Sequence, residues 1–535
     1  MDFKNKIIYQ IYPRSFKDTN QDGIGDIKGI ISKLDYIASL GVNFIWLSPV
    51  YASPNADFGY DVSDYKAINP EYGTMADMDL LIEKAKEKGI DIMMDLVMNH
   101  TSSEHEWFKK SKEKDSPYRD YYIYLPNKKG KEPNNWTSFF GGKAWSKSED
   151  GMYYLHLFAE NQPDLNLKNP KVIEAFKDIM RFWLDKGIKG FRCDVVNVIH
   201  KDSLKDGKWR LVLKGLEHYH STKGNHDILK TFRKEIFEPY QAITVGETVM
   251  VSIEQAKDLM QESRKELDMV FSFTHMETDQ INNKWFKTKF KPKKFINVLK
   301  DWQENLPWNT LYFENHDQPR SISRFGSEYY HKASGKMLAT LLLTLKGTPF
   351  IYQGQEIGML NVDYKSIEDY QDVETKNIWE LSKKLKFPRF YRWRMIKKSS
   401  RDNARSPMQW DANHGFTKGT PWLKINHNEK QINVEAELKN PESILSYYKR
   451  LIKIRKNSAA LTLGDYKTIY SKRGLFAYER SYQDETYFIL INMTKRYKRY
   501  KHIPSGDIIL ANYPPMDLKH LRPYEALMIE VKHEK

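Results

Sequence analysis

The chain has 535 residues, of which 40% are hydrophobic and 13% aromatic, and its formal net charge is +15. This length predicts two or three structural units. The single cysteine, Cys193, excludes an intrachain disulfide. The first residues, MDFKNKIIYQIYPRSF, lack the apolar run of a signal peptide, so we expect a cytoplasmic protein.

The positive charge raises the question of a nucleic-acid or membrane partner. The lysines are scattered and acids lie among them, as in EKAKEKG (83–89), and a short cluster such as KPKK (291–294) is typical of a solvated loop or helix start. We therefore expect no nucleic acid and no membrane among the partners.

Eight short and nearly continuous apolar runs predict strands that are covered on both faces. They are KIIYQIY (6–12), VNFIWLSP (42–49), DIMMDLVM (91–98), GFRCDV (190–195), AITVGE (242–247), MVFSF (269–273), TLYFE (310–314) and PFIYQG (349–354). Helical patterns such as 26–41 and 169–187 fall between them. Eight strand–helix repeats predict an α/β protein of the (β/α)8 barrel type.

Two segments depart from this alternation. Residues 100–168, after the third strand, are rich in Trp, Tyr, Asn and Gly and predict an inserted subdomain. After a last helix at 441–456, runs such as YFILIN and EALMIEV predict a C-terminal antiparallel β-domain. The predicted domains are the barrel over 1–99 and 169–458, the insertion over 100–168, and the β-domain over 459–535.

Three predicted strands end near a carboxylate, namely Asp194, Glu247 and Asp317. Barrel enzymes carry their chemistry at the C-terminal ends of the strands. Arg192 lies two residues before Asp194 and faces the same way, so we expect it to lower the pKa of a nucleophilic Asp194. A partly buried Glu247 near another acid is expected to have a raised pKa, as a general acid needs. The set predicts hydrolysis of a glycosidic bond.

Other polar residues fall at the same predicted strand ends. His316 precedes Asp317, and both can bind sugar hydroxyls. The sequence FGYDVSDY places Tyr60 as a stacking platform and Asp61 as a hydroxyl acceptor, and DLVMNH places His100 after the third strand.

The segment DTNQDGIGD (18–26) predicts a separate metal site. Oxygen donors alternate around a glycine turn, as hard cations require, and they are the side chains of Asp18, Asn20, Asp22 and Asp26 and the carbonyl of Ile24. Gly29 stands where a calcium loop carries a bidentate acid, and a solvated acidic turn is the alternative. We expect Ca²⁺ in a structural role.

Four segments in order, DLVMNH, GFRCDVVNVI, VGET and FENHD, resemble glycoside hydrolase family 13, the α-amylase family. The segments IIYQIYPRSF, DTNQDGIGD, QPDLNL, HDQPR and SRDNARSPMQWD are most similar to its oligo-1,6-glucosidase subfamily.

The resemblance assigns roles to several residues. It implies that Asp194 is the nucleophile, Glu247 the acid/base and Asp317 the transition-state stabiliser. It also implies that the subsite for the released glucose is lined by His100, Arg192 and His316. Asp61 would pair with an arginine of the RDNAR segment, either Arg405, which we favour, or Arg401.

The resemblance further implies a monomeric, retaining, exo-acting α-glucosidase. It would release glucose from short α-1,6-linked oligosaccharides such as isomaltose and panose. Val195 resembles α-1,6-acting relatives, but trehalose-6-phosphate hydrolases share it, and Lys284, Lys287 and Lys289 could form their cationic acceptor pocket. An α-1,4-acting maltase is a further alternative.

Two other functions are not expected. A non-catalytic family-13-like binding module would tend to lose the acids that this chain retains. Sucrose isomerisation is typical of relatives with a charged segment where this chain reads ISRFG (322–326).

Overall fold

The structure is a computed structural model that describes residues 2–210, 212–514 and 518–532. Contacts divide the chain into two compact units. The first comprises Trp46–Lys86 and Asp91–Ser272, and the second comprises Asp2–Ile45, Glu87–Ile90 and the chain from Phe273 onward. Among the described residues no helix has the length and apolar character needed to cross a membrane.

The strands are short, and many are buried. In chain order they are β1 Ile8–Ile11, β2 Phe44–Leu47, β3 Tyr51–Ala52, β4 Asp64–Ile68, β5 Asp91–Leu96, β6 Tyr124–Leu125, β7 Trp145–Lys147, β8 Tyr153–Leu155, β9 Gly190–Cys193, β10 Ile243–Glu247, β11 Met269–Phe271, β12 Gln280–Ile281, β13 Asn283–Lys287, β14 Thr310–Leu311, β15 Thr348–Tyr352, β16 Asp465–Tyr470, β17 Leu475–Tyr482, β18 Glu485–Asn492, β19 Lys498–Arg499, β20 Gly506–Ala511, β21 His520–Leu521 and β22 Ala526–Val531.

The α-helices alternate with the strands over most of the chain. They are α1 Ile27–Ser32, α2 Leu34–Ser39, α3 Met75–Glu87, α4 Glu106–Ser111, α5 Pro170–Asp185, α6 Lys223–Phe232, α7 Ile253–Met260, α8 Pro292–Asn305, α9 Ser321–Phe325, α10 His331–Thr344, α11 Val373–Lys384, α12 Arg389–Ser399, α13 Asp402–Arg405, α14 Val434–Lys439, α15 Ile444–Lys456 and α16 Ala459–Thr462.

Eight strands form one sheet in the order β11-β10-β9-β5-β2-β1-β15-β14, and the division between the two units falls within β2. The pairs β5–β9, β9–β10, β10–β11, β1–β15 and β14–β15 are parallel. These are the eight predicted strands, and the (β/α)8 class is confirmed. Strand β14 is shorter than predicted, because its regular pairing ends at Leu311.

In the first unit, α5 follows the sequence signals closely. The Asn169 side chain accepts a hydrogen bond from Lys171 N, Pro170 takes the first helical position, and Gly187 has a φ of +108° after the last turn. The segment 100–168 carries a three-stranded antiparallel sheet in the order β6-β8-β7. The predicted domain boundaries stay predictions.

In the second unit, the predicted helix at 26–41 is two helices, because Lys33 leaves the helical conformation between α1 and α2. A five-stranded sheet in the order β16-β17-β18-β22-β20 follows α16, and its four neighbouring strand pairs are antiparallel. Its buried face includes Phe488, Leu490 and Leu527. The predicted antiparallel β-structure at the C-terminal end is therefore confirmed.

Candidate active site

In the first unit, Arg192 lies at the centre of a cluster of carboxylates. The register of the parallel strands sets Arg192 of β9 level with Asp95 of β5 and with Val245 of β10. Because alternate residues of a strand face the same side, Asp194 and Glu247 share the face of Arg192. The guanidinium nitrogens lie 2.5 Å from Asp95 Oδ1, 2.6 Å from Asp194 Oδ1 and 2.6 Å from Glu247 Oε2.

The predicted lowering of the pKa of Asp194 is wrong. Burial raises that pKa well above its ordinary value, Arg192 opposes the rise, and Glu247 and Asp95 add to it. One guanidinium cannot neutralise three ionised carboxylates, so the cluster favours holding a proton. A proton held by this cluster is available for transfer to a substrate oxygen.

Asp95 supports this cluster from β5. Its side chain is fully buried and accepts hydrogen bonds from Trp46 Nε1 at 2.9 Å and from Tyr60 OH at 3.3 Å. Burial raises the pKa of Asp95 to about 6, against the opposing effect of Arg192. The Tyr60 ring also lies 5.8 Å from the guanidinium carbon of Arg192, so the hydroxyl and the ring of Tyr60 both contact the cluster.

Val195 has a strained backbone directly after Asp194. Its φ is +36°, a conformation that a β-branched residue rarely adopts. In this conformation Val195 N donates a hydrogen bond to Glu247 Oε2 at 3.2 Å. Strain of this kind tends to occur at functional sites, and here it connects the residue after Asp194 to the side chain of Glu247.

His100 is buried after β5. Its Nε2 lies 3.1 Å from the carbonyl oxygen of Tyr60, and its Nδ1 lies 3.2 Å from Asn99 Nδ2. Burial lowers the pKa of His100 to about 4. The ring is therefore neutral near pH 7.

Asp61 is fully buried in the first unit. Its carboxylate accepts hydrogen bonds from Ser53 Oγ at 3.0 Å, Ala56 N at 2.8 Å and Asp57 N at 2.9 Å. Burial raises the pKa of Asp61, and these donors oppose the rise. The predicted pairing of Asp61 with Arg405 stays a prediction.

In the second unit, Asp317 is held by cations. Arg405 Nη2 lies 2.6 Å from Asp317 Oδ1, and His316 Nε2 lies 3.3 Å from Asp317 Oδ2. Burial raises the pKa of Asp317, but His316, Arg405 and Arg401 outweigh burial and bring the pKa well below its ordinary range. Asp317 is therefore an anion over the whole working range of an enzyme.

The two candidate arginines have different partners within this unit. Arg405 is fully buried and donates from Nε to the carbonyl oxygen of His316 at 3.0 Å. Arg401 donates from Nε to Asp372 Oδ1 at 2.9 Å and lies 3.6 Å from Asp317 Oδ1. Of the two, Arg405 makes the closer contact with the predicted catalytic acid.

His316 is fixed on its other side. Gln10 Nε2 lies 2.8 Å from His316 Nδ1, and the Tyr12 ring stacks on the imidazole at a centroid distance of 6.1 Å. Since an amide nitrogen donates, Nδ1 accepts and a neutral His316 carries its proton on Nε2. That nitrogen faces Asp317.

Two of the three lysines predicted for an alternative acceptor pocket already have carboxylate partners. Lys284 pairs with Glu374, and Lys287 Nζ lies 2.9 Å from Asp279 Oδ1. Burial, followed by the nearby Arg324, lowers the pKa of Lys287 to about 7. Lys289 is exposed.

The loop predicted to bind metal is folded around its own hydrogen bonds. Asp26 caps α1 by accepting from Gly29 N at 2.6 Å and also accepts from Thr19 N at 2.7 Å. Asp18 accepts from Asn20 N and Gly23 N, and Ile24 N donates to Asp22 Oδ1 at 2.8 Å. In the described part of the chain no three His, Cys, Asp or Glu side chains are grouped to hold a metal ion, so these donors do not converge as they stand.

The contacts that Lys201 and Gln162 make near His100 were not predicted from the sequence. Lys201 is buried, and its Nζ lies 2.6 Å from Asp164 Oδ2 and 2.7 Å from Asn99 Oδ1. Gln162 Nε2 lies 3.1 Å from His100 Nε2. The QPDLNL segment was a signal for Gln162 and Asp164, whereas nothing in the local sequence distinguishes Lys201 from a surface lysine.

The chain is similar to several known proteins. The alpha-amylase catalytic-domain family matches residues 10–464. An oligo-1,6-glucosidase of Halalkalibacterium halodurans is 47% identical, with 99% of each chain covered. A crystal structure of trehalose-6-phosphate hydrolase from Bacillus licheniformis is 41% identical with a TM-score of 0.95, covering 99% of this chain and 100% of that one. Isomaltulose synthase from Klebsiella is 38% identical with a TM-score of 0.96, with the same coverage. The chain therefore belongs to the alpha-amylase family.

Proposed function

We propose that the protein is a retaining, exo-acting α-glucosidase that releases glucose from the non-reducing end of short α-1,6-linked oligosaccharides. The observation that carries this proposal is the pairing of Asp194 and Glu247 on one buried guanidinium. A retaining glycosidase needs two carboxyls close together, one of which holds a proton. The similarity to an oligo-1,6-glucosidase supports the linkage.

The reaction follows from these positions. Glu247 protonates the glycosidic oxygen while an Asp194 carboxylate oxygen attacks the anomeric carbon, and the bond to the leaving sugar breaks. The ionised Glu247 then takes a proton from water, the water attacks the glucosyl ester, and Asp194 is released. Asp317, held anionic by Arg405 and His316, would bind hydroxyls of the glucose and stabilise its developing positive charge.

A trehalose-6-phosphate hydrolase is the second candidate, because such an enzyme matches the fold over nearly its whole length. A phosphorylated acceptor requires cations that are free to bind it. Lys284 and Lys287 are already paired with Glu374 and Asp279, which favours an uncharged acceptor.

The test is the initial rate of glucose release from isomaltose, maltose and trehalose 6-phosphate, measured side by side. We expect isomaltose to be the best substrate. Glu247→Gln should lower the isomaltose rate by about 10²–10⁴-fold, because general acid catalysis contributes that much. A preference for the phosphorylated sugar would move the assignment to the second candidate. No activity on any of the three, with the variant indistinguishable from the parent, would contradict the hydrolase itself.

We also propose that the 18–26 loop binds Ca²⁺ in a structural role and that the enzyme is a cytoplasmic monomer. The calcium proposal rests on five oxygen donors within one loop, and binding would require the loop to exchange internal hydrogen bonds for metal contacts. The catalytic steps above do not involve this ion.

A further inference from the structure

We propose that the connection between α11 and α12 is a docking surface for an anionic lipid bilayer. This basic hairpin, defined as residues 381–394, lies in the second unit. From Leu381 to Arg401 the sequence contains nine Lys or Arg residues and no Asp or Glu. The segment is therefore strongly basic, and the proposal departs here from the expectation of no membrane partner.

Within the described part of the chain, the cations of the basic hairpin have no carboxylate partners. Five of them are exposed and form no ion pair with any described residue: Lys383, Lys384, Lys386, Arg389 and Arg394. Other cations nearby are engaged, since Lys397 lies 2.7 Å from Asp363 Oδ1 and Arg392 stacks on the Trp379 ring at 3.7 Å. Lys398, further along α12, is also exposed and forms no ion pair with a described residue. Five of these six exposed cations therefore lie on the hairpin.

Apolar side chains are exposed among these charges. Leu381 is 49% exposed, Leu385 60% and Phe390 76%. Leu381 and Leu385 are four residues apart, so they share one face at the end of α11. Cationic side chains surrounding exposed aliphatic and aromatic side chains are the combination that binds the interface of an anionic membrane.

The base of the hairpin is well anchored. Trp379, Phe387 and Tyr391 pack against a buried cluster that includes Tyr370 and Ile396. Leu385 and Phe390 are thus exposed although the neighbouring aromatic side chains of the hairpin are packed against this cluster.

An anionic lipid surface fits the basic hairpin better than a nucleic acid or a second copy of this chain does. Nucleic-acid surfaces use aromatic faces for stacking, whereas Leu381 and Leu385 are aliphatic and gain nothing from a base. A symmetric contact with a second copy would bring like charges together. At a bilayer, the leucines and Phe390 can be buried at the boundary of the acyl chains while the lysines bind lipid phosphates. A bilayer therefore accommodates both the apolar side chains and the cations.

The test is co-sedimentation of the purified full-length protein with vesicles. Pure phosphatidylcholine is compared with an equal mixture of phosphatidylcholine and phosphatidylglycerol. We expect binding to the anionic vesicles alone. The charge variant Lys383→Gln/Lys384→Gln/Lys386→Gln/Arg389→Gln and the apolar variant Leu385→Ser/Phe390→Ser should each weaken binding by about tenfold or more, since each basic residue and each buried apolar group contributes to interfacial binding.

A matched control removes the same charge elsewhere. The variant Lys495→Gln/Arg496→Gln/Lys498→Gln/Arg499→Gln lies at and before β19, a basic segment without an exposed aliphatic side chain. It should bind the vesicles nearly as well as the parent. All variants should keep the parent's isomaltose activity, which confirms their folding. Equal losses in the control and the hairpin variants would overturn the proposal, as would no vesicle binding at all. Hairpin-dependent binding to an RNA oligonucleotide without vesicle binding would also overturn it.

Discussion

At the scale of single residues, the number of cations around each carboxylate influences its pKa. Arg192 contacts three carboxylates in the first unit, whereas Asp317 has Arg405, Arg401 and His316 around one carboxylate in the second. The pKa of Asp194 is therefore raised and that of Asp317 is lowered. Acids of one type thus acquire opposite proton affinities from their surroundings.

The substitution Arg405→Lys tests the ion pair between Arg405 and Asp317. A lysine has one ammonium and cannot reach both the His316 carbonyl oxygen and Asp317 as the guanidinium does. We expect kcat/KM for isomaltose to fall by about 10- to 150-fold, because a charge-assisted hydrogen bond contributes about 1.5–3 kcal/mol. Steady-state kinetics measures this.

The matched control for that substitution is Arg394→Lys, on the exposed side of α12. It should leave kcat/KM unchanged. If Arg405→Lys also stayed within about twofold of the parent, the contact with Asp317 would not contribute to the reaction.

At the scale of single elements, the N-terminus of α1 involves Asp26 both as a predicted metal ligand and as an observed helix cap. Asp26 was predicted as a metal ligand, and in the structure it caps the helix and fixes Thr19. Asp22 is exposed and bonds only within the turn, to Ile24 N and Asn20 Nδ2, among the described contacts. The two acids can therefore be separated by mutation.

Asp26→Ala should lower the free energy of unfolding by about 1–2 kcal/mol in EDTA, because a helix cap of this type contributes that much. Asp22→Ala should be close to the parent in EDTA but should lose the increase in Tm that CaCl₂ gives the parent. Thermal melting of the three proteins with and without calcium measures both effects. A parent Tm that does not respond to calcium would refute the calcium proposal and leave the cap in place.

At the scale of the whole molecule, buried histidines make stability depend on pH. Burial lowers the pKa values of His100, His105 and His275 to about 4 each. The unfolded chain binds these protons near pH 6.5, so stability is complete above that pH and falls as the pH decreases toward 4. Each histidine contributes a loss of about 3 kcal/mol at the end of this window.

His275→Gln tests that dependence away from the carboxylate cluster around Arg192. The variant should be less stable than the parent at pH 7, because His275 Nε2 lies 2.8 Å from the Tyr312 carbonyl oxygen. Its urea midpoint should nevertheless fall less between pH 7 and pH 4.5. His502→Gln, at an exposed position, should keep the parent's slope, and identical slopes for all three proteins would contradict the assignment.

The sequence by itself determined the fold class and the strand-end positions of Asp194 and Glu247, the candidate catalytic acids. Continuous apolar runs specify buried parallel strands, and a carboxylate at a strand end falls at a known edge of the sheet because backbone pairing is local and periodic. Asp194 and Glu247 were correctly placed on this basis. The short β14 and the break at Lys33 were not predicted, because tertiary contacts set where regular pairing stops.

Tertiary structure decided the properties that depend on neighbours distant in sequence. The pKa of Asp194 rises because burial and two other carboxylates outweigh Arg192, and no local pattern contains that balance. Lys201 and Lys383 are both lysines in polar stretches, yet one is buried against Asp164 and the other is exposed without an ion-pair partner among the described residues. Side-chain chemistry follows from sequence, but burial and charge environment arise only when the chain is folded.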